Sequence, residues 1–230
     1  MVADDLISFS TDPKLGLELN LIFVDDGSTD NTAKIIERKI TQNSLNALLI
    51  KLEKNRGVGI AFLRALDVSK SDLVCLVPGD GVFDCKTIIN LLKSGQRDCV
   101  TLSLRTNRYT SQLTRKFCSK IFSKWFSWLT NNFVPDPHSL FLIPTSAAKI
   151  AVNELWGDLS CNTDFRLDNS YHVHFLHKVL TKHPVTNLAK LKVNPQFEKG
   201  SSVWNFPFLV KFCRSCALMT LKKFKFFERI

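Results

Sequence analysis

Short, nearly uninterrupted apolar runs recur along the chain at residues 19–24, 47–52, 73–77, 98–104 and 140–143, and a last strand reads over 188–193. Runs of this length without in/out alternation read as strands buried on both faces, the habit of parallel sheets. Between them the apolar positions switch to helical spacing: Ala33, Ile35, Ile36 and Ile40; then Ala61, Leu63, Ala65 and Leu66; then a helix over 85–93. Residues 145–183 read as helices through Ile150, Val152 and Leu155 and later Val173, Phe175, Leu176, Val179 and Leu180. Strands alternating with helices predict an α/β fold: a doubly wound, mostly parallel sheet with helices on both faces.

The ends of the first and third runs carry the candidate chemistry. Asp25 and Asp26 meet solvent just after the run 19–24, Gly27 allows the sharp turn, and Ser28, Thr29 or Asp30 can cap the next helix. In open α/β sheets ligands sit at this carboxyl edge. The second run delivers Asn55-Arg56-Gly57-Val58-Gly59 into a helix. A dinucleotide fingerprint does not fit there, because Phe62 stands at the third glycine position and the unit follows an earlier strand. The third run ends in Pro78-Gly79-Asp80-Gly81.

Charge divides the chain. Net charge is +10, yet residues 1–100 hold 12 Lys and Arg against 14 Asp and Glu, while residues 101–230 hold 19 against 7. The first part suits a small ligand and the second a phosphate-bearing surface. Arg105, Arg108, Arg115, Lys116, Lys120 and Lys124 are interleaved with Phe117, Ile121, Phe122, Trp125, Trp128 and Leu129, a basic amphipathic helix that either packs on the sheet or meets a membrane. Residues 203–230 alternate aromatic and basic residues again, as a further membrane-associating candidate. No run reaches eighteen uncharged apolar residues, and no stacking module for nucleic acid is recognisable. Seven irregularly spaced cysteines point to reduced thiols and a cytoplasmic setting. His172, His174 and His177 lack ligand spacing and read as surface or boundary residues.

The stretch from Val24 through Asp30 resembles the signature of family 2 glycosyltransferases, which have a GT-A fold. The resemblance covers about residues 5–202, within which 17–104 would bind nucleotide and 105–202 would form the acceptor part. It implies donor-binding roles for Asp25, Asp26, Ser28, Asn55, Gly57 and Arg64, toward a UDP- or GDP-linked sugar. It implies that Asp80 holds a divalent cation, Mg or Mn, with Pro78 where most members carry a first Asp. The polyprenyl-phosphate branch is the nearer one. It places Arg115 and Asp136 near the acceptor or transferred sugar, as catalytic candidates together with Asp80, and Arg105, Arg108, Lys199 and Ser201 near acceptor or phosphate. Such an enzyme would lie peripherally on the inner face of the membrane, with an anionic surface as partner. Family members have a strand and helix before the Asp-Asp strand, so the first strand is expected to be missing here and the fold to be truncated at its N-terminus. Two other readings stand: a transferase acting on a saccharide hydroxyl, with Asp158 or Asp164 as base, and a non-catalytic nucleotide-binding remnant.

Overall fold

Leu140, Phe141, Leu142 and Ile143 show how the interior is built, because they alternate between two apolar clusters on opposite faces of the sheet. Phe141 and Ile143 join Phe62, Leu66, Val100, Leu102, Phe126 and Phe175 on one face. Leu140 and Leu142 join Phe83, Ile88, Leu91 and Leu191 on the other, where Leu6 and Phe9 also pack. A strand with apolar side chains on both faces has no polar alternation, which is why its sequence reads as an unbroken run.

The computed structural model describes residues 2–43, 47–106, 113–157 and 171–193, with 213, 216–221 and 223. In chain order the elements are α1 (Val2–Ser10), a 3-10 turn (Pro13–Leu15), β1 (Leu21–Asp25), α2 (Thr32–Gln42), β2 (Ala47–Lys51), α3 (Val58–Val68), β3 (Leu73–Cys75) and α4 (Cys85–Lys93). They continue with β4 (Val100–Arg105), α5 (Leu113–Thr130), β5 (Phe141–Pro144), α6 (Thr145–Gly157), α7 (Tyr171–Leu180) and β6 (Val185–Leu191). The strand–helix alternation expected from the sequence is therefore present.

The sheet is mixed and lies in two parts. β1 pairs in parallel with β2, and the other four strands run in the order β3-β5-β4-β6. β4 and β6 are parallel, whereas β5 is antiparallel to both β3 and β4. The reversal of β5 follows from its connection: α5 is followed by ten residues, 131–140, that carry the chain back before β5 begins. Among the described residues no strand lies between β1 and β3.

Two boundaries differ from the sequence reading. β6 begins at Val185, ahead of the expected strand; among the described residues it pairs with β4 alone, and it alternates between half-buried and exposed positions. The basic helix begins at Leu113, and Arg105 belongs to the end of β4. Along α5, Phe126 and Leu129 are buried and Phe122 and Trp125 pack beside them, while Phe117, Ile121 and Trp128 face solvent. The helical residues near the C-terminus dock on α5. Met219 is buried, Trp125 Nε1 donates to Thr220 Oγ1 at 3.2 Å, and Lys223 Nζ donates to the Leu129 carbonyl at 3.1 Å. A cation there suits the negative end of the helix dipole. No described helix is long and apolar enough to cross a membrane.

Phe175 is the aromatic hub of the larger cluster. Its ring meets Phe62 edge-on at 5.2 Å between centroids, and Phe141 and Tyr171 at 5.7 and 5.9 Å. Phe175→Ala should lower unfolding free energy by about 3–5 kcal/mol in urea titrations. A loss below about 1 kcal/mol would show that these helices are not held through this ring.

Candidate functional site

At the end of β1 the backbone and the carboxylates do different work. The Asp25 carbonyl accepts from Leu52 N at 2.9 Å, continuing the pairing with β2 one residue past the ladder. The Asp25 side chain is buried and accepts from the Ser28 hydroxyl and, at 3.4 Å, from Ser28 N. Asp26 reaches to the other strand end, where its two carboxylate oxygens accept from Arg56 N at 2.7 Å and Gly57 N at 2.8 Å. Two consecutive amides held by one carboxylate fix the turn that opens α3, and charge-assisted bonds of this kind are about twice as strong as neutral ones.

Glycine is required at two points of this clasp. Gly27 has φ +74°, and a Cβ there would lie 2.4 Å from the Lys54 carbonyl carbon, so only glycine allows the two turns to touch. Gly57 has φ +84° and caps α3, with its N–H shared between Asp26 and Asn55 Oδ1, the latter at 3.2 Å. None of the three proposed residues holds the N-cap of α2, which is Asn31 without a capping side-chain bond; Asp30 stands one residue earlier, and its Oδ1 accepts from Thr32 N at 2.9 Å. The bonds from Thr32 hold that carboxyl below its usual range.

The structure thus brings Asp25, Asp26, Ser28, Asn55 and Gly57 together. Arg64 lies two turns along α3, where it pairs with Asp67 at 3.6 Å. Asp80 follows β3 on an exposed turn, its Oδ1 accepting from Val82 N at 3.1 Å and Gly81 adopting φ +77°. Among the described residues no three His, Cys, Asp or Glu side chains gather as a metal cluster.

Asp136 and Arg105, assigned separately from the sequence, form one buried pair. Nε and Nη2 of Arg105 each donate to a different Asp136 oxygen at 2.7 Å, a bidentate fork with side chains 13% and 4% exposed. Removing one partner of such a pair costs about 3–5 kcal/mol, since it strands the other charge. The pair ties the end of β4 to the Asp136-Pro137-His138-Ser139 turn. Beneath it Ser103 Oγ and Ser139 Oγ lie 2.5 Å apart. His172 stands beside the turn, its ring parallel to His138 at 6.5 Å and against Phe141 at 4.7 Å. Its Nε2 is buried without a partner among the described residues. His172 as a whole is half-buried, as are His174 and His177, which fits the boundary reading of these residues.

A second concavity, about 640 Å³, runs along α5. Phe117, Ile121, Phe133 and Pro135 line it, with Lys116, Lys120 and Lys124 in a row at intervals of four residues. Arg115 lies on α5, but its side chain is outside the described residues, as are Arg108, Asp158, Asp164, Lys199 and Ser201.

The family model for glycosyl transferase family 2 matches residues 13–150, more than half the chain. The chain belongs to that family, and its α/β architecture is of the GT-A type. It is 37% identical over 87 residues to a dolichyl-phosphate beta-glucosyltransferase of Dictyostelium discoideum, an alignment covering 36% of this chain and 27% of that one. It is 27% identical over 123 residues to an undecaprenyl-phosphate 4-deoxy-4-formamido-L-arabinose transferase of Photorhabdus laumondii, covering 54% of this chain and 38% of the relative. The matched part is thus well under half the length of these curated relatives. The glucosyl-3-phosphoglycerate synthase of Mycobacterium tuberculosis, solved with phosphoglyceric acid, superposes with TM-score 0.48 at 14% identity, covering 96% of this chain and 74% of that one.

Burial holds the His172 pKa down to about 4, below its ordinary 6.5. The unfolded chain therefore takes up a proton that the folded one refuses. Stability is full above about pH 6.5 and falls as pH drops toward 4, by up to about 1.4 kcal/mol per pH unit. His172→Phe should flatten that part of the stability profile, measured by urea unfolding at pH 7, 5.5 and 4.5. An unchanged slope in the variant would place the responsible proton elsewhere.

Proposed function

We propose that this chain transfers a sugar from a nucleoside-diphosphate donor, UDP- or GDP-linked, to a polyprenyl phosphate. The observation that carries the reading is the carboxylate clasp at the end of β1, an acceptor-rich edge of the kind that a base and ribose hydroxyls require. Residues 17–104 would form the donor part, with Asp25, Asp26, Ser28, Asn55 and Gly57 around the nucleoside and Arg64 toward the diphosphate. The names of the matched relatives, a dolichyl-phosphate and an undecaprenyl-phosphate transferase, support the lipid acceptor.

The acceptor part would be residues 105–202. Its α5 groove pairs an apolar floor with a basic row, which suits an amphiphile carrying a phosphate. The same face would lie on an anionic membrane, on the cytoplasmic side, with residues 203–230 as a further membrane-associating candidate. An acceptor phosphate oxygen is already ionised at neutral pH, so attack at the anomeric carbon needs no side-chain base. That oxygen forms the new bond to the anomeric carbon as the bond to the donor diphosphate breaks, and the electron pair leaves on the diphosphate. Arg105 and Asp136 hold the end of β4 in register beside this acceptor part. Arg115, with Arg108, Lys199 and Ser201, would add contacts to phosphate.

Asp80 fits a Mg or Mn ion as a single exposed carboxylate, because such ions bind through one or two carboxylates with phosphate and water completing the set. A cation there would neutralise charge on the leaving diphosphate.

The test is nucleotide release from UDP- and GDP-sugars with manganese, with and without undecaprenyl phosphate in detergent micelles. Release should require the lipid phosphate and fall at least tenfold in Asp80→Ala, whose unfolding midpoint should stay that of the wild type. Equal release by both proteins, or release indifferent to the lipid, would reject the reading.

A further inference from the structure

The most exposed large apolar side chain among the described residues is Phe133, at 69%. It stands on the turn that carries the chain away from α5, and that turn is pinned on both sides of it. On the near side Asn131 takes φ 53° and Asn132 N donates to the Ser127 carbonyl at 3.2 Å, a backbone closure common at helix ends. Asn132 Nδ2 donates to the Thr130 and Leu180 carbonyls at 2.8 and 3.1 Å, and its Oδ1 accepts from Val185 N at 2.9 Å. One side chain thus ties the turn to the end of α7 and the start of β6. On the far side Val134 is fully buried, and its N–H donates to Ser127 Oγ at 2.9 Å. A ring on a slack loop would fold back onto neighbouring apolar surface. Here both flanking residues are fixed, so the fold itself holds Phe133 outward.

Phe133 lines the concavity along α5 together with Phe117 and Ile121, each more than half exposed. Apolar side chains therefore protrude both from the helix and from the turn beside it. Lys116, Lys120 and Lys124 line the same concavity, and none forms an ion pair with a described residue. No Asp or Glu occurs from Arg105 through Pro135, and the next acid, Asp136, is buried and held by Arg105. Protruding apolar groups beside unpaired lysines match a surface that is anionic at its face and apolar beneath: the lysine stems lie along the acyl boundary while their ammonium groups stay among the lipid phosphates. A protein partner would have to place acids against three lysines spaced along one helix. A bilayer offers anionic groups at every position.

We infer that residues 131–135 form an insertion wedge for an anionic bilayer, with Phe133 as the anchor and Phe117 and Ile121 entering beside it. The inference rests on the reading of α5 as the lipid-facing side, and it names the side chains that grip the lipid. The bracing by Asn132 and Val134 keeps the wedge in shape, so inserting it orders no loop and loses little conformational entropy.

The measurement is co-flotation of the full chain with vesicles of phosphatidylcholine containing about a quarter phosphatidylglycerol, at low salt. The wild type should bind saturably, and more weakly to phosphatidylcholine alone. Phe133→Ser should keep the wild-type unfolding midpoint yet bind at least about fivefold more weakly. Leu48→Ser, which removes an exposed apolar side chain from β2, should bind as the wild type does. Phe133→Trp should keep the affinity and show quenching by lipids brominated on the acyl chains beyond that of the wild type. No binding by the wild type, the result if another protein covers these side chains, would overturn the proposal. So would equal binding to phosphatidylcholine alone, wild-type affinity in Phe133→Ser, an equal loss in Leu48→Ser, or no added quenching in Phe133→Trp. The vesicles carry neither polyprenyl phosphate nor nucleotide sugar, so failure here leaves the sugar-transfer reading standing, and failure of that reading leaves this binding intact.

Discussion

One carboxylate holding two neighbouring amides is the constraint on which the candidate site depends. Asp26 stands on the turn after β1, and Arg56 and Gly57 stand on the turn before α3, thirty residues away. The β1–β2 ladder brings the two strand ends side by side, and the carboxylate fixes the turns that leave them. Bonds to a charged group contribute about 1.5–3 kcal/mol each. The close approach at Gly27 accompanies the same clasp, because the backbone of Lys54 and Asn55 leaves no room for a Cβ there. Asp25 is left to brace the turn from inside through Ser28, and Asp30 bonds the first residue of α2, Thr32. The order of residues in the motif is thus a division of labour: one carboxylate for the turn itself, one for the neighbouring strand end, one for the following helix.

The second half is organised on a different principle. Arg105 and Asp136 are charges taken into the protein, and their bidentate fork compensates for lost hydration only while both remain. Around them the rings of His138, Phe141, His172 and Phe175 carry the packing into the core. Buried charge at the end of β4 and exposed charge along α5 therefore have separate physical roles, although both contribute to the same excess of basic residues in the sequence.

Much of this was legible in the residues. The helix over Cys85–Lys93 and the strands ending at the Asp25 and Asp80 turns fall where apolar periodicity places them, because local pattern and burial agree there. The family of the chain was legible too, carried by the stretch from Val24 through Asp30 and borne out by the match over residues 13–150. The fork between Arg105 and Asp136 was not, since a contact between residues thirty-one positions apart leaves no local signal. Nor was the division of α5, where an inward stripe of Phe122, Trp125, Phe126 and Leu129 adjoins an outward one of Phe117, Ile121 and Trp128. Together the two adjacent stripes span about half of the helix circumference, and periodicity alone sees one broad apolar face. The antiparallel course of β5 was hidden for a similar reason: a run buried on both faces looks the same in either direction.

The clasp can be tested directly by amide hydrogen exchange in the 15N-labelled protein. In the wild type the amides of Arg56 and Gly57 should exchange slowly. In Asp26→Ala both should exchange at least tenfold faster, while the Leu52 amide, bonded to the Asp25 carbonyl, keeps its protection. If Arg56 and Gly57 exchange at the same rate in both proteins, the two strand ends are not joined through Asp26, and the account of the site is wrong.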